Sequence, residues 1–201
     1  MKVGLFGGAF DPVHLGHLLL AERCREDAGL DEVWFVPSYK PPHKTDRELT
    51  RFEHRCDMLG FATSGQPKFR VEPIEKELPP PSYTLHTLDA LAERHPGHDF
   101  HLLIGADTLA DLPNWHRPAD VLAAAGLVAV PRPGVETWTA DRLAAAVGVP
   151  PAVVRLTVVE TPLVALASRE LRARVAAGKG IRYAVPRAVE EFVRERGLYR
   201  G

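Results

Sequence analysis

Apolar residues along the chain gather in short blocks, separated by longer stretches with helical spacing. Six blocks have the length of strands: Val3–Phe6, Glu32–Val36, Phe69–Glu72, Phe100–Ile104, Leu127–Val130 and Arg155–Val159. They are rich in Val, Leu, Ile and Phe, as strands buried on both faces of a parallel sheet are. The intervening pattern predicts helices over Leu15–Ala28, Arg51–Thr63, Thr84–Arg94, Ala119–Ala125 and Thr139–Val147, and Ser168–Ala177 and Pro186–Arg196 close the chain. Strand and helix alternating in this order predict an α/β fold, a doubly wound parallel sheet with helices on both faces and a small C-terminal helical part from about residue 168 to 201. Ligands of such sheets bind beyond the carboxyl ends of the strands, near the point where the strand order reverses. The unusual residues sit where that rule asks. "GGAFDPVHLGH" follows the first block, "PSYKPPHK" the second, "GADTLADLPNW" the fourth and "PRPG" the fifth.

Composition narrows the partners. The 201 residues are 45% hydrophobic and 25% charged, with a formal net charge of −1, which fits one soluble globular domain. No basic stripe interleaved with aromatics offers a nucleic-acid surface, and the mostly apolar run Val121–Pro131 is too short to span a bilayer, which takes about 20 residues. No targeting segment is expected ahead of the first strand. Cys24 and Cys56 have neither metal nor disulfide spacing and suit a reduced, cytoplasmic setting. The sequence leaves both a monomer and a homo-oligomer open.

The turn after the first block carries more than a turn needs. Gly7 and Gly8 free the backbone to take positive φ and admit a close neighbour. Asp11 and Pro12 read as a cap and a first helical residue. His14 and His17, three apart, project from one face near the helix N-terminus, where unpaired N–H groups attract phosphate. Gly16 between them keeps the surface low. The dinucleotide pattern G-x-G-x-x-G and the P-loop lysine are absent. Zinc has little to bind, since no Cys or Glu stands at ligand spacing, and no metal site is expected.

Gly8, Phe10, Pro12, His14, Gly16 and His17 fill every fixed position of G-x-F-x-P-x-H-x-G-H, and so the chain resembles the nucleotidyltransferase superfamily with a Rossmann-like fold. "FDPVH" is similar to its nicotinate-nucleotide adenylyltransferase branch. Pro41-Pro42-His43-Lys44, Pro81-Ser82-Tyr83-Thr84, Ile104-Gly105-Ala106-Asp107 with Leu112-Pro113-Asn114-Trp115, Arg132-Pro133-Gly134 and Gly197-Leu198-Tyr199-Arg200 resemble further blocks of that branch, in order along nearly the whole chain. Two departures stand out. Ala9 occupies a position where Thr or Ser is usual, and Leu166-Ala167-Ser168-Arg169-Glu170-Leu171-Arg172 replaces a segment resembling I-S-S-T-x-I-R, so that two hydroxyls are lost and one guanidinium is gained. Arg169 fits a phosphate contact or a solvated side chain equally well.

The resemblance implies transfer of an adenylyl group from ATP, carried with Mg²⁺, to nicotinate mononucleotide. It implies that His17, with His14 second, and Arg172 are catalytic. It places Gly8, Ala9, Phe10, Gly105, Asp107 and Ser168 with those three at ATP, Ser168 capping its helix. It puts Lys44, Ser82, Tyr83, Thr84, Trp115 and Arg132 at the substrates, with Lys40 beside Lys44 on the proline-rich loop. Each also has an ordinary reading: Trp115 as a core anchor, Asp107 and Thr84 as helix caps, Arg172 and Arg174 as a solvated stripe, the lysines as a solvated loop. His43, His54, His86, His95, His98, His101 and His116 carry no argument. A related enzyme acting on phosphopantetheine would share the His-x-Gly-His turn, and an idle nucleotide-binding regulator would suit the altered C-terminal segment.

Overall fold

The computed structural model describes residues 1–40, 49–162 and 164–200. Lys44 and the Pro41–His43 block lie outside the described residues. Six parallel strands, β1 (Lys2–Gly8), β2 (Glu32–Pro37), β3 (Phe69–Val71), β4 (Asp99–Gly105), β5 (Gly126–Val130) and β6 (Leu156–Val158), form one sheet in the order β3-β2-β1-β4-β5-β6. All six expected strands are present. The order reverses between β1 and β4, so the crevice lies beyond Gly8 and Gly105.

The helices are α1 (Leu15–Asp27), α2 (Phe52–Thr63), α3 (Thr84–Arg94), α4 (Ala106–Asp111), α5 (Pro118–Ala124), α6 (Ala140–Val147), α7 (Ser168–Ala176) and α8 (Arg187–Glu195). They divide between the two faces, and alternation along the strands divides the core with them. Val3 and Leu5 of β1 join Leu85, Leu88 and Leu91 of α3, Leu109 of α4, Leu122 of α5 and Leu143 of α6. On the other face, Val33 and Phe35 of β2 join Cys24 of α1, Met58 and Leu59 of α2, Leu171 of α7 and Val189, Phe192 and Val193 of α8. The C-terminal helices therefore share a core with β2 instead of standing apart from it. α4, absent from the predicted helices, is six residues long and too short for periodicity to reveal. Among the described residues no helix is long and apolar enough to cross a membrane.

Candidate active site

Gly7 and Gly8 do not take the positive φ expected of them. Both are still in β1, and the left-handed residue is Phe10, at φ 48°. What Gly8 supplies is room: a Cβ there would sit 3.1 Å from Cζ of the Phe10 ring. That ring is 2% exposed and forms the floor of the loop, edge-on to Phe6 and His17. Phe10 thus faces the core and is not among the residues that line the cleft.

The cap is also displaced. Asp11 and Pro12 do not start α1; the N-cap is His14. His14 Nδ1 accepts the His17 N–H at 3.3 Å, and His17 Nδ1 accepts the His14 N–H at 3.2 Å. The two imidazoles fill the roles a Ser and a Glu play in a capping box. Their rings stack at 3.6 Å between centroids. A Cβ on Gly16 would sit 3.1 Å from His14 Nδ1, so the glycine leaves space for the stack.

This reciprocal bonding has a chemical result. With each Nδ1 occupied as an acceptor, the neutral ring carries its proton on Nε2, a donor free of the cap. Burial pulls His14 down to about 4. Burial, then the His14 and Arg132 charges, pulls His17 down to about 3. Near pH 7 both rings are neutral Nε2–H donors, suited to phosphoryl oxygens rather than to a nucleophile's proton.

Asp11, displaced from capping, is 1% exposed beneath the loop. Its carboxylate accepts from the Tyr199 hydroxyl at 2.7 Å and from the Thr50 N–H at 3.4 Å. Arg55 is equally buried and donates to three carbonyls, those of Ala9, Ser38 and Thr50, at 2.8 to 2.9 Å. Arg172 Nη1 donates to the Asp11 carbonyl at 2.6 Å, and Ser168 Oγ to the Pro12 carbonyl at 2.9 Å. Ser168 does not cap α7; that position is Ala167, which offers no side-chain oxygen. The Ser168 and Arg172 side chains are engaged with the loop's backbone, which they hold in place. Sequence gave no hint of Arg55, whose three acceptors come from segments far apart in the chain.

Across the crevice, Gly105 caps α4, and Asp107 is in its first turn without a capping bond. Asp107 Oδ2 instead pairs with Arg132 Nη1 at 3.3 Å. A Cβ on Gly105 would lie 2.5 Å from Asp107 Oδ1 and 2.9 Å from Arg132 Nε, so both side chains fold over the glycine. Gly105→Ala is expected to push this exposed pair aside and raise the KM for ATP at least fivefold, while the urea midpoint moves little. An unchanged KM would show that the pair does not serve the nucleotide.

Beyond Trp115 the cleft is aromatic. Trp115 is half-buried and packs on the core while one side lines the cleft. Tyr83, not Thr84, is the N-cap of α3. Its ring stacks on His116 at 4.4 Å, with His86 on their edges. His116 thus belongs to the cleft wall, which no motif revealed. One continuous cleft of about 1330 Å³ runs from Gly8, Ala9, His14 and His17, past Gly105, Arg132 and Ser168, to Ser82, Tyr83, Thr84 and Trp115. Among the described residues no group of three or more His, Cys, Asp or Glu is gathered to hold a metal ion.

Residues 5–174 match the cytidylyltransferase-like family. The chain is 41% identical over 198 residues to the probable nicotinate-nucleotide adenylyltransferase of Bacillus pumilus, covering 98% of each, and 37% identical to the nicotinate-nucleotide adenylyltransferase of Bacillus subtilis, covering 98% of each. A solved structure of Plasmodium falciparum nicotinic acid mononucleotide adenylyltransferase complexed with NaAD superposes with a TM-score of 0.78 at 18% identity, covering 98% of this chain and 97% of that one; it shares the fold. On these full-length matches, the chain belongs to the nicotinate-nucleotide adenylyltransferase family.

Proposed function

We propose that the protein transfers the adenylyl group of ATP to nicotinate mononucleotide, giving nicotinate adenine dinucleotide and pyrophosphate. The observation that carries this is one cleft holding two neutral Nε2–H donors at one end and Trp115 with Ser82–Thr84 at the other. A phosphate oxygen of the mononucleotide attacks the α-phosphorus of ATP. A new P–O bond forms as the bond to the bridging oxygen breaks, and pyrophosphate leaves with the electron pair. The attacking oxygen is already anionic near pH 7, so no general base is required.

The protein's task is then to position two anions and stabilise the charge that grows on the α-phosphate. His17 and His14 donate to the α-phosphate oxygens, and the Gly8 and Ala9 backbone lies against the phosphates. Arg132 serves the nucleotide once its pairing with Asp107 opens. Trp115 stacks on the pyridine ring, with Ser82, Tyr83 and Thr84 around it. Mg²⁺ arrives on ATP as part of the substrate, ligated by phosphate oxygens. Ser168 and Arg172 act here through the loop backbone. A reduced, cytoplasmic setting belongs to the same proposal and is supported by the free thiols of Cys24 and Cys56.

Steady-state kinetics with ATP, Mg²⁺ and each of nicotinate mononucleotide, nicotinamide mononucleotide and phosphopantetheine tests the reading. The expected result is the highest kcat/KM with nicotinate mononucleotide, at least tenfold above its amide. Turnover of phosphopantetheine alone would move the protein to the neighbouring branch. ATP binding without pyrophosphate release from any acceptor would make it a regulator.

A further inference from the structure

The acceptor end of the cleft contains a buried acid to which no role above has been given. Glu75 sits in the short 3₁₀ turn Ile74–Lys76, is 8% exposed, and lines the cleft near Ser82 and Tyr83. A carboxylate beside the site of an anionic acceptor is unfavourable unless it has work to do there. Its partners show what that work is. Glu75 Oε2 accepts the Tyr39 N–H at 3.0 Å. The next residue, Lys40, donates its N–H to Ser82 Oγ at 3.2 Å and accepts the Ser82 N–H at 3.0 Å. The Ser82 hydroxyl, its oxygen already used by Lys40, acts on the Glu75 carboxylate to favour the ionised form. One residue back, Ser38 donates to the Gly8 carbonyl at 2.8 Å and accepts from Arg55, which also holds Ala9.

Three consecutive residues after β2 are therefore fastened in turn: Ser38 to the phosphate loop, Tyr39 to Glu75, and Lys40 to Ser82. We propose that Glu75 is a positioning residue that fixes the Ser82–Thr84 segment in register with the phosphate loop, so that the acceptor's phosphate reaches the α-phosphorus held there. This rests on the function proposed above. The arrangement needs the acceptor form of Glu75, because its carboxylate holds the Tyr39 amide. Burial raises the pKa of this group. The Tyr39 and Ser82 hydrogen bonds and the Arg55 charge work the other way.

The geometry demands an asymmetry between the two substrates. Arg55 still holds Ala9 when Glu75 is altered, so the ATP end keeps its frame. Glu75→Gln keeps the size and one acceptor oxygen but loses the second. The expected result is a rise of about tenfold in KM for nicotinate mononucleotide with a fall in kcat, while the KM for ATP stays within twofold of the parent; Glu75→Ala is expected to raise the mononucleotide KM further. An unchanged mononucleotide KM, or equal rises for both substrates, overturns the proposal. Should both variants fail to fold, amide hydrogen exchange in the parent protein decides: protection at Tyr39, Lys40 and Ser82 is expected to rise with nicotinate mononucleotide and not with ATP, and no rise overturns it. A parent protein that does not turn over nicotinate mononucleotide removes the function itself, an outcome distinct from all of these.

Discussion

His17→Ala is expected to lower kcat by more than about 100-fold, the usual cost of losing one donor aimed at transition-state charge. The structure adds a complication. His17 is also the N3 partner in the cap of α1, so the alanine variant loses one cap hydrogen bond, worth about 0.5–1.5 kcal/mol. A drop in activity could then reflect a loosened helix start. His17→Gln separates the two effects, because glutamine at N3 completes a capping box while placing no imidazole Nε2–H at the cleft. The expected outcome is a urea midpoint near that of the parent with a kcat still down by more than about 100-fold. A glutamine variant within threefold of the parent would remove the imidazole from the chemistry and leave His17 a structural role only.

The largest stability effect is expected at Arg55. Its guanidinium satisfies three carbonyls that no other described side chain reaches, those of Ala9, Ser38 and Thr50. Burial lowers its pKa, while the charges of Asp11, Cys56, Tyr199 and Glu75 act in the opposite sense. Arg55→Met fills the space but leaves those carbonyls without donors and removes a cation that stands close to Asp11. The expected loss is about 3–5 kcal/mol, the range for removing one partner from a buried charged network. Chemical denaturation measures it, and a loss under about 1 kcal/mol would show that water or a rearranged loop replaces the guanidinium. Arg55→Lys is not expected to rescue, since a single ammonium cannot reach three carbonyls arranged for a planar fork.

Much of the scaffold was legible because it follows from periodicity. Short apolar runs without alternation mark parallel strands, and each of the six was found within two residues of its expected ends. The motifs after β1 and β4 were placed correctly because the sheet rule depends only on chain order. The details at the loop were not legible, because they depend on which polar groups meet in three dimensions. Asp11 looks like a cap by residue type, yet in place it accepts from Tyr199, 188 positions away. Ser168 looks like a cap too, yet its hydroxyl is drawn to the Pro12 carbonyl. A histidine in the capping role breaks the usual residue preferences, and only the mutual bonding of His14 and His17 shows why it works. Glu75 and Arg55 belong to no motif, and their roles come from segments brought together by the fold.

The bond between Tyr199 and Asp11 also bears on how the protein comes to be active. A ribosome delivers the loop that follows β1 and, 188 positions later, the hydroxyl that supports it. A nascent chain can thus carry both histidines at the start of α1 and still lack that support beneath the loop. A product shortened before Tyr199 would hold every group proposed above to touch the nucleotides. Its losses would be in the steadiness of the loop, and they would be read as slow, temperature-sensitive turnover rather than as a missing reaction step.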